Sequence, residues 1–382
     1  MNFNEPLKLG FIGGATTSAV GYAHYVSSRM DGDWQLVCGC FSTDPEVNRD
    51  SAKKYAVQTE RVYSDWRELL VNEKGRIDAL VVLTPTPHHF EVVKACLDAQ
   101  IPVICEKALT VDSRSAEELN RLCREKNGFL AVTYNYSGYP MIRELRQLIA
   151  TGVLGKLCHF QLEMPQEGFL RTNQEGQLLA PQAWRLVDGA LPTLYLDLGV
   201  HLHQLAAYLL SERPLQVVAQ HGHYGKHEQV IDYVSCLAEY SGGLQGQFWF
   251  GKSALGHRNG LQLKIYGSKA SVQWQQTNPE ELVLSHAEGR REIVDRGQAT
   301  MVAGQDCYTR FKAGHPAGFI EAFANLYVDI ASCLREYQQK GSWQSNEIFS
   351  VELAHEGLQL LEAMVSSVKE KRWVSVEQSR CP

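Results

Sequence analysis

The fold is decided by residues 7–24, LKLGFIGGATTSAVGYAH. The stretch begins with a short apolar run, Leu7 to Ile12, which predicts a buried strand, and it continues through Gly13-Gly14 into a helical segment. A glycine turn between a first strand and a first helix is where the pyrophosphate of a dinucleotide binds, because backbone N–H groups and the helix dipole stabilise the anion. The G-x-G-x-x-G fingerprint is not met, since Ala15 and Ser18 occupy its second and third glycine positions. On this motif alone, a plain strand-to-helix turn is an equally good interpretation.

A further glycine, Gly21, follows shortly before the helical segment Tyr22-Ala23-His24. We interpret the loop as a lengthened phosphate turn, in which Gly13 and Gly14 form the tight turn and Gly21 makes a close contact between helix and strand. A cofactor pyrophosphate is then expected against Gly13, Gly14, Ala15, Ser18 and Gly21.

The rest of the first third alternates nearly continuous apolar strands with helices. The strands are predicted in WQLVCGC (34–40), IDALVVL (77–83), PVICE (102–106) and FLAVTY (129–134). Continuous apolar strands separated by helices indicate a parallel, doubly wound sheet covered on both faces. After about Thr133, longer alternating runs joined by turns such as Gly242-Gly243 predict antiparallel strands with flanking helices. The sequence therefore predicts an α/β domain over residues 1–133 and an α+β domain over residues 134–382.

Composition limits the class of protein. The chain has 382 residues and a formal net charge of -6, and this mildly acidic balance argues against a nucleic-acid partner. No apolar run approaches the roughly 18 residues of a membrane span, and the start lacks the pattern of a secretion signal. The ten cysteines are scattered without a C-x-x-C pair. We expect a reduced, cytoplasmic protein with no membrane partner.

The end of the second strand bears on the choice of cofactor. An acidic residue there would bind the ribose 2′-hydroxyl of NAD, but the sequence continues Phe41-Ser42-Thr43, and the nearest acid, Asp44, also reads as a helix cap before Pro45. Ser42 and Thr43 could donate to the 2′-phosphate of NADP instead. The choice between NAD and NADP stays open.

The loop TPTPHH at residues 84–89 follows a parallel strand at its carboxyl end, where ligands bind in such sheets. Two prolines hold it extended. His89 could face the cofactor, or it could be a helix-start histidine without a role.

Three segments make a plausible reaction centre. Lys107 follows the strand that ends in Cys105-Glu106, where partial burial beside a cationic cofactor would suit it for acid–base chemistry. Asp197 and His201 are four residues apart, on one face of a predicted helix, so the carboxylate could orient the imidazole. The third segment, Tyr134-Asn135-Tyr136, follows the last strand of the α/β part and could line a cleft. A surface lysine and a structural Asp–His hydrogen bond are the competing interpretations.

A metal-dependent alternative rests on two H-x-H pairs, His201/His203 and His221/His223. The first pair lies on an apparent helix, where residues two apart diverge, and we therefore assign no metal site.

Taken together, these segments resemble the Gfo/Idh/MocA family of NAD(P)-dependent oxidoreductases, which act mostly on sugars and polyols. The motifs that carry the resemblance occur in the family's order: the glycine turn, T-P-x-x-x-H at Thr84 to His89, Glu106-Lys107, Asn135-Tyr136, Trp184-Arg185 and D-x-G-x-H at Asp197 to His201.

The resemblance implies an N-terminal Rossmann domain and a C-terminal domain with a large open-faced, mainly antiparallel sheet, which commonly forms a homodimer or homotetramer interface. It implies that His201 takes the proton from a substrate hydroxyl, assisted by Lys107, as hydride passes to the nicotinamide of NAD or NADP, with Asp197 holding His201. The cofactor residues expected beyond the glycine turn are Ser42, Thr43, Thr84, Pro85, His89, Glu106 and Lys107. The substrate residues expected are Tyr136, Trp184, Arg185 and His201.

Two departures from the family pattern are present. The family's E-K-P is Glu106-Lys107-Ala108 here, and LPTLYL (191–196) replaces the glycine-rich approach to the D-x-G-x-H motif. Two other functions known among relatives stay open: an NAD-dependent glycoside hydrolase working by oxidation and elimination, and a non-catalytic, cofactor-sensing regulator, for which Ala108 leaves room.

Overall fold

The structure is a computed structural model that describes residues 5–179 and 181–377. Its packing divides the chain into two compact units, each containing a segment from the C-terminal part. The first unit comprises Met1–Gly138 and Phe319–Ala354, and the second comprises Tyr139–Gly318 and His355–Pro382. The two domains expected from the sequence, residues 1–133 and 134–382, stay a prediction. Packing groups residues 319–354 with the N-terminal part.

The first unit contains a five-stranded sheet in the order β2-β1-β3-β4-β5. Its strands are β1 (Leu7–Gly13), β2 (Trp34–Cys40), β3 (Ala79–Leu83), β4 (Val103–Glu106) and β5 (Leu130–Thr133). Every neighbouring pair is parallel, which confirms the predicted parallel sheet. After β1 the chain forms β2 on one edge of β1, and it then crosses back to form β3, β4 and β5 on the other edge. The strand order therefore reverses between β1 and β3. In open parallel sheets, ligands bind at the carboxyl ends of the strands at such a reversal.

Helices occur in both units of the described chain. Their bounds are α1 (Gly21–Arg29), α2 (Pro45–Lys54), α3 (Trp66–Glu73), α4 (His89–Asp98), α5 (Ser113–Lys126), α6 (Pro140–Ala150), α7 (Val200–Leu209), α8 (Phe319–Lys340) and α9 (Val351–Glu370). In the described parts of the chain, no helix is long and apolar enough to cross a membrane.

Helix α8 belongs to the first unit because it shares that unit's core. Leu9, Phe11 and Val81 of the sheet lie in one buried hydrophobic cluster with Leu326 and Ile330 of α8. Burying these side chains together removes apolar surface from water, the main favourable term in folding. The parallel sheet therefore depends on a helix from a distant part of the chain, since α8 begins at Phe319 and the last strand of the sheet ends at Thr133.

The second unit contains a nine-stranded sheet in the order β13-β12-β11-β10-β6-β9-β8-β7-β14. Its strands are β6 (Leu157–Pro165), β7 (Pro214–Gly222), β8 (Tyr233–Tyr240), β9 (Gln245–Gly251), β10 (Gln262–Gly267), β11 (Ala270–Gln275), β12 (Asn278–His286), β13 (Arg291–Val294) and β14 (Val374–Ser375). The pair β6 and β9 is parallel, and the other pairs are antiparallel. The predicted large, mainly antiparallel sheet is confirmed.

Three strands of this sheet, β12 to β14, are absent from the sequence prediction. Strand β12 begins with Asn278-Pro279 and continues through two glutamates, residue types that are depleted in strands. Its alternation shows only at Leu282 and Leu284, which are both buried. Packing against β11 therefore decides a strand that local propensity does not favour.

Replacing Ile330 with alanine tests whether α8 holds the first unit together. Ile330 is fully buried, so we expect Ile330→Ala to lower the free energy of unfolding by about 2–5 kcal/mol. The matched control is Val71→Ala, because Val71 is 80% exposed and its loss should change stability by less than about 0.5 kcal/mol. Urea denaturation followed by circular dichroism measures both values; similar stabilities for the two variants would contradict the assignment of α8 to this core.

Candidate active site

The turn after β1 contains two glycines that no other residue could replace without movement. Gly13 and Gly14 have φ angles of 80° and 72°, in the left-handed region that favours glycine. A Cβ atom on Gly13 would lie 2.7 Å from the carbonyl carbon of Leu83, and one on Gly14 would lie 2.3 Å from Cδ1 of the same leucine. The turn therefore passes directly against the end of β3, at the point where the strand order reverses.

The first residue of α1 packs against this turn even more closely. A Cβ atom on Gly21 would lie 2.1 Å from the carbonyl oxygen of Gly14. Between them, Ser18 donates its backbone N–H to the carbonyl of Ala15 at 2.8 Å, and its hydroxyl accepts from the Gly21 N–H at 2.8 Å. The structure thus places the predicted glycines in the tight turn and in the close contact, respectively.

This turn fits an anionic pyrophosphate. The first turn of α1 contains no acidic residue of its own that would compete with an anion for the positive end of the helix dipole. The Gly14–Gly21 contact brings the backbone of the loop onto the start of the helix, which is the cradle that a Cβ atom would fill. Contact of a dinucleotide with Gly13, Gly14, Ala15, Ser18 and Gly21 stays a prediction.

The loop after β2 contains the predicted helix cap, Asp44. Asp44 accepts hydrogen bonds at Oδ1 from the backbone N–H groups of Glu46 (2.8 Å) and Val47 (3.0 Å), with Pro45 at the first helical position. Ser42 accepts at its hydroxyl from the N–H of Asp44 at 3.1 Å, and Thr43 is exposed. Asp44 is therefore committed to α2 through one oxygen, and Ser42 and Thr43 remain the residues proposed to contact the adenosine ribose.

The loop after β3 is braced by His89. Its two ring nitrogens lie 2.7 Å from the carbonyl oxygen of Thr84 and 2.8 Å from that of Ala108. Burial lowers the pKa of His89 and outweighs the two carbonyl contacts, which raise it. A neutral ring donates to one of these carbonyls, so the side chain links the loop to the segment after Lys107. Its direct contact with a cofactor stays a prediction.

Other residues predicted to contact the cofactor lie at this edge of the sheet. The hydroxyl of Thr84 is buried without a hydrogen-bond partner among the described residues, and Pro85, which follows it, is exposed. Glu106 ends β4 and is followed by Lys107. The peptide bond between Lys107 and Ala108 is cis. Because the carboxyl ends of parallel strands meet at one edge, the residues after β1, β3 and β4 are brought to the same side of the sheet.

Glu106 is held as a carboxylate. Burial alone would raise its pKa, but the hydrogen bond and charge of His24, the charge of Lys107 and a hydrogen bond from Thr133 outweigh burial, so its pKa is lowered. The sequence contains no local signal for this arrangement, because His24 and Glu106 are 82 residues apart.

The second unit contains its own cluster of charges around Asp197. One oxygen of this carboxylate, Oδ2, accepts hydrogen bonds from both Arg185 and Lys252. The side chains of Asp197 and Lys252 are 8% and 9% exposed, and the Lys252 ammonium lies 5.4 Å from the centre of the Phe169 ring. Two cationic donors stabilise the carboxylate as an anion. The pair Arg185 and Asp197, predicted separately from the sequence, is therefore brought together.

Lys252 is missing from the sequence prediction. It directly follows β9, in the run FWFGK (248–252), where a lone lysine after a strand usually reads as a surface group. Its partner lies 55 residues earlier in the chain. The aromatic residues before it are the available signal, since they mark a strand end that packs into the core.

The remaining predicted substrate residues lie in short turns. Trp184 and Arg185 belong to a 3-10 turn, Ala183–Leu186, and the Arg185 guanidinium stacks 4.6 Å from the centre of the Trp184 indole. In the first unit, Tyr136 belongs to the 3-10 turn Asn135–Gly138 and is buried with its ring 6.3 Å from that of Phe319. Substrate contacts of these residues stay predictions.

The D-x-G-x-H motif adopts a less regular structure than the predicted helix. Tyr195–Gly199 forms a π-helical turn that contains Asp197, and α7 begins at Val200, so His201 lies buried in its first turn. π-helical turns inserted before an α-helix are frequent at functional sites. Asp197 as the residue that orients His201 stays a prediction.

One histidine of each H-x-H pair lies within hydrogen-bonding distance of another side chain. His203 Nε2 lies 3.1 Å from Glu356, and His221 Nδ1 lies 2.9 Å from the hydroxyl of Tyr195. Within residues 5–179 and 181–377, no group of three or more His, Cys, Asp and Glu side chains is arranged to hold a metal ion.

Two family models match the chain. The model of the oxidoreductase family with an NAD-binding Rossmann fold matches residues 7–134, and the Gfo/Idh/MocA C-terminal domain matches residues 142–273. Together they cover about two thirds of the sequence. The chain belongs to the Gfo/Idh/MocA family. It is thus an oxidoreductase whose N-terminal part is an NAD-binding Rossmann domain, which confirms the family expected from the motifs.

Individual relatives match over most of the chain. The uncharacterized oxidoreductase YfiI of Bacillus subtilis is 28% identical over 378 residues, covering 96% of each chain. The levoglucosan dehydrogenase of Pseudarthrobacter phenanthrenivorans is 24% identical over 289 residues, covering 68% of this chain and 70% of its own. The crystal structure of an inositol dehydrogenase homologue from Azotobacter vinelandii, complexed with NADH and myo-inositol, has a TM-score of 0.88 at 27% identity and covers 97% of this chain and 98% of its own.

The close contact at Gly21 predicts a strong effect on cofactor binding. In Gly21→Ala the new methyl group clashes with the Gly14 carbonyl, so the loop must move away from α1 and the affinity for NADH should fall about 10-fold or more. Titration of NADH fluorescence measures this. Gly168→Ala is the control, because a Cβ atom there meets nothing within 4 Å; equal affinities of the two variants would contradict the role given to Gly21.

The Asp197 cluster predicts that Lys252 contributes to stability through its charge. Lys252→Met leaves Asp197 with one cationic partner fewer, and we expect a loss of about 1–3 kcal/mol in the free energy of unfolding. Lys252→Arg should retain most of it, because it keeps a cationic donor. The exposed Lys156 gives the control Lys156→Met, which should be neutral. Denaturant titration distinguishes these outcomes, and equal stability of Lys252→Met and wild type would contradict the prediction.

Proposed function

We propose that this oxidoreductase transfers a hydride between NAD(H) or NADP(H) and a hydroxyl-bearing ring carbon of a cyclitol, a sugar or a sugar derivative. The observation that carries the proposal is the likeness, over 97% of the chain, to a structure with NADH and myo-inositol bound. A second relative is named for levoglucosan. Both molecules are cyclic polyols with several secondary alcohols, and this shared chemistry defines the substrate class.

The acid–base roles follow the family resemblance of the motifs. His201 takes the proton of the substrate hydroxyl, since an imidazole exchanges protons near neutral pH. Lys107 assists this transfer from the strand end beside the cofactor turn. When bound, the nicotinamide supplies the acceptor or donor of the hydride. The nicotinamide nucleoside of the cofactor would be held by Glu106 and Lys107, together with Thr84 and Pro85. The glycine turn would hold the pyrophosphate of the cofactor.

Asp197 serves as a fixed anion. Its hydrogen bonds from Arg185 and Lys252 support this role, because two cationic donors stabilise the charged form and hold the side chain in place. A fixed carboxylate is suited to orienting His201 and a second substrate hydroxyl. Arg185, Trp184 and Tyr136 complete the set of residues proposed to bind the substrate.

We further propose that the protein assembles as a homodimer or homotetramer through the nine-stranded sheet. Apolar side chains support this: Leu237 of β8 is 50% exposed and Ile293 of β13 is also 50% exposed. An uncovered sheet face with large apolar residues is a common site of association. Light scattering on the purified protein measures the mass directly.

The reaction is tested by separating turnover from cofactor binding. We expect Lys107→Ala and His201→Ala each to lower kcat on a cyclic polyol by about 100-fold or more, because each removes a proton-transfer group, while the affinity for NADH changes only a few-fold. Lys156→Ala is the control. The readouts are NADH absorbance with myo-inositol and levoglucosan, with both cofactors supplied, and NADH fluorescence titration.

Three results would count against the proposal. Retained turnover in both variants would exclude the acid–base roles. A redox-neutral release of sugar from a glycoside that needs only catalytic NAD would point to the hydrolase alternative. Tight cofactor binding with no turnover across a broad polyol panel would point to a regulator.

A further inference from the structure

A chain of buried polar side chains in the first unit connects three of its elements. The hydroxyl of Tyr327 on α8 lies 2.7 Å from Nδ1 of His24 on α1. Nε2 of His24 lies 3.2 Å from Oε1 of Glu106 at the end of β4, and the same oxygen accepts the hydroxyl of Thr133 at 2.5 Å. His24 is 0% exposed and Tyr327 and Thr133 are each 1% exposed. Polar groups buried this deeply are retained where their hydrogen bonds are made.

The direction of the hydrogen bonds in this chain is determined by its ends. Glu106 is a carboxylate, which only accepts, so Nε2 of His24 carries a hydrogen toward it whether the ring is neutral or protonated. Burial raises the pKa of Tyr327 far above its usual value, so its hydroxyl stays neutral and can donate to Nδ1 of a neutral ring. The chain then runs from the Tyr327 hydroxyl through the imidazole to the carboxylate.

The ring of His24 is also fixed by packing. Phe323 contacts it edge-on with centroids 4.7 Å apart, and Tyr327 does so at 5.8 Å. The backbone carbonyl of Tyr327 accepts a hydrogen bond from the indole N–H of Trp34 at 2.9 Å. His24 therefore presents Nε2 to Glu106 in a single orientation.

The arrangement leaves one oxygen of Glu106 for a ligand. Oε1 accepts from both His24 and Thr133, whereas Oε2 receives no hydrogen bond from the described residues. Glu106 keeps 7% of its surface exposed, and it adjoins Lys107 at the carboxyl end of the strand. A carboxylate fixed through one oxygen offers the other as an oriented acceptor, which favours binding because no side-chain freedom is lost on association.

We propose that His24, supported by Tyr327, is a positioning residue for the cofactor: it holds Glu106 so that Oε2 accepts a hydrogen bond from a hydroxyl or amide N–H of the nicotinamide nucleoside. His24 lies one turn into the helix that begins at Gly21, so the same contact ties the phosphate turn to the strand end that bears Lys107. The inference rests on the proposed function in one respect, namely that Glu106 contacts the nicotinamide nucleoside.

The test uses substitutions that keep or remove the donor at the Nε2 position. His24→Phe keeps the ring volume and removes both nitrogens, and we expect the affinity for NADH to fall about 10-fold. His24→Gln places an amide N–H near the position of Nε2 and should restore the affinity to within a few-fold of wild type. His24→Asn, whose shorter amide reaches only toward Tyr327, should not. Tyr327→Phe, which removes only the hydroxyl, should weaken binding less than His24→Phe.

A double-mutant cycle with Glu106→Ala separates positioning from a general effect on the fold. If His24 acts through Glu106, adding His24→Phe to Glu106→Ala should change the affinity for NADH little further, because both acceptor oxygens are already lost. Unchanged NADH affinity in His24→Phe, or two effects that simply multiply in the double variant, would overturn the proposal. Melting temperatures of the cofactor-free variants are measured in parallel. If His24→Phe does not fold, the NADH affinities of His24→Gln and Tyr327→Phe are compared with that of the wild type instead.

Because the readout is cofactor binding, its outcome is independent of the substrate. Absence of turnover on every cyclic polyol would contradict the proposed function. The NADH affinities of the double-mutant cycle could still be measured on the same protein.

Discussion

The contact between the start of α1 and the turn after β1 is the constraint on which the nucleotide end of the molecule depends. Only hydrogen at Cα of Gly21 allows the helix to begin against the Gly14 carbonyl, and only glycine at positions 13 and 14 lets the turn pass against Leu83. The contact fixes where the helix dipole points, relative to the ends of β1 and β3. It also fixes the position of His24, one turn further along α1, and through it the carboxylate of Glu106. A packing requirement of the backbone thereby becomes a requirement of the site.

The two units treat their buried carboxylates in the same way. In Glu106 two donors, His24 and Thr133, converge on one oxygen, and in Asp197 two cations, Arg185 and Lys252, also converge on one oxygen. Burying a carboxylate is unfavourable unless it is paired or hydrogen-bonded, so each site places its donors on separate elements of its own unit. The difference lies in the donors: Glu106 accepts from an imidazole and a hydroxyl, whereas Asp197 accepts from a guanidinium and an ammonium group. Asp197 therefore belongs to a cluster of ion pairs, whereas one of the two donors to Glu106 is an uncharged hydroxyl.

The sequence predicts those features that are local in the chain. The five parallel strands, the cap at Asp44, the tight turn at Gly13 and Gly14 and the close contact at Gly21 follow from patterns within a few residues, and the structure agrees with them. Strand β12 is missed because its glutamates and proline oppose a strand that packing imposes. The partnerships of Lys252 with Asp197 and of His24 with Glu106 are missed because they join residues 55 and 82 positions apart. The π-helical turn is missed because hydrophobic periodicity does not register a single inserted residue.

The D-x-G-x-H motif combines chemistry with packing, and its middle residue shows this. A Cβ atom on Gly199 would lie 2.8 Å from Leu361 and 3.2 Å from Phe250, so the glycine allows the π-helical turn to approach both α9 and β9. Strand β9 ends one residue before Lys252, the partner of Asp197. The close approach at Gly199 thus helps to bring a lysine from the sheet onto the carboxylate two residues before the glycine. The glycine of the motif is therefore explained by a packing requirement: it permits the close approach that brings the Lys252 ammonium to the Asp197 carboxylate.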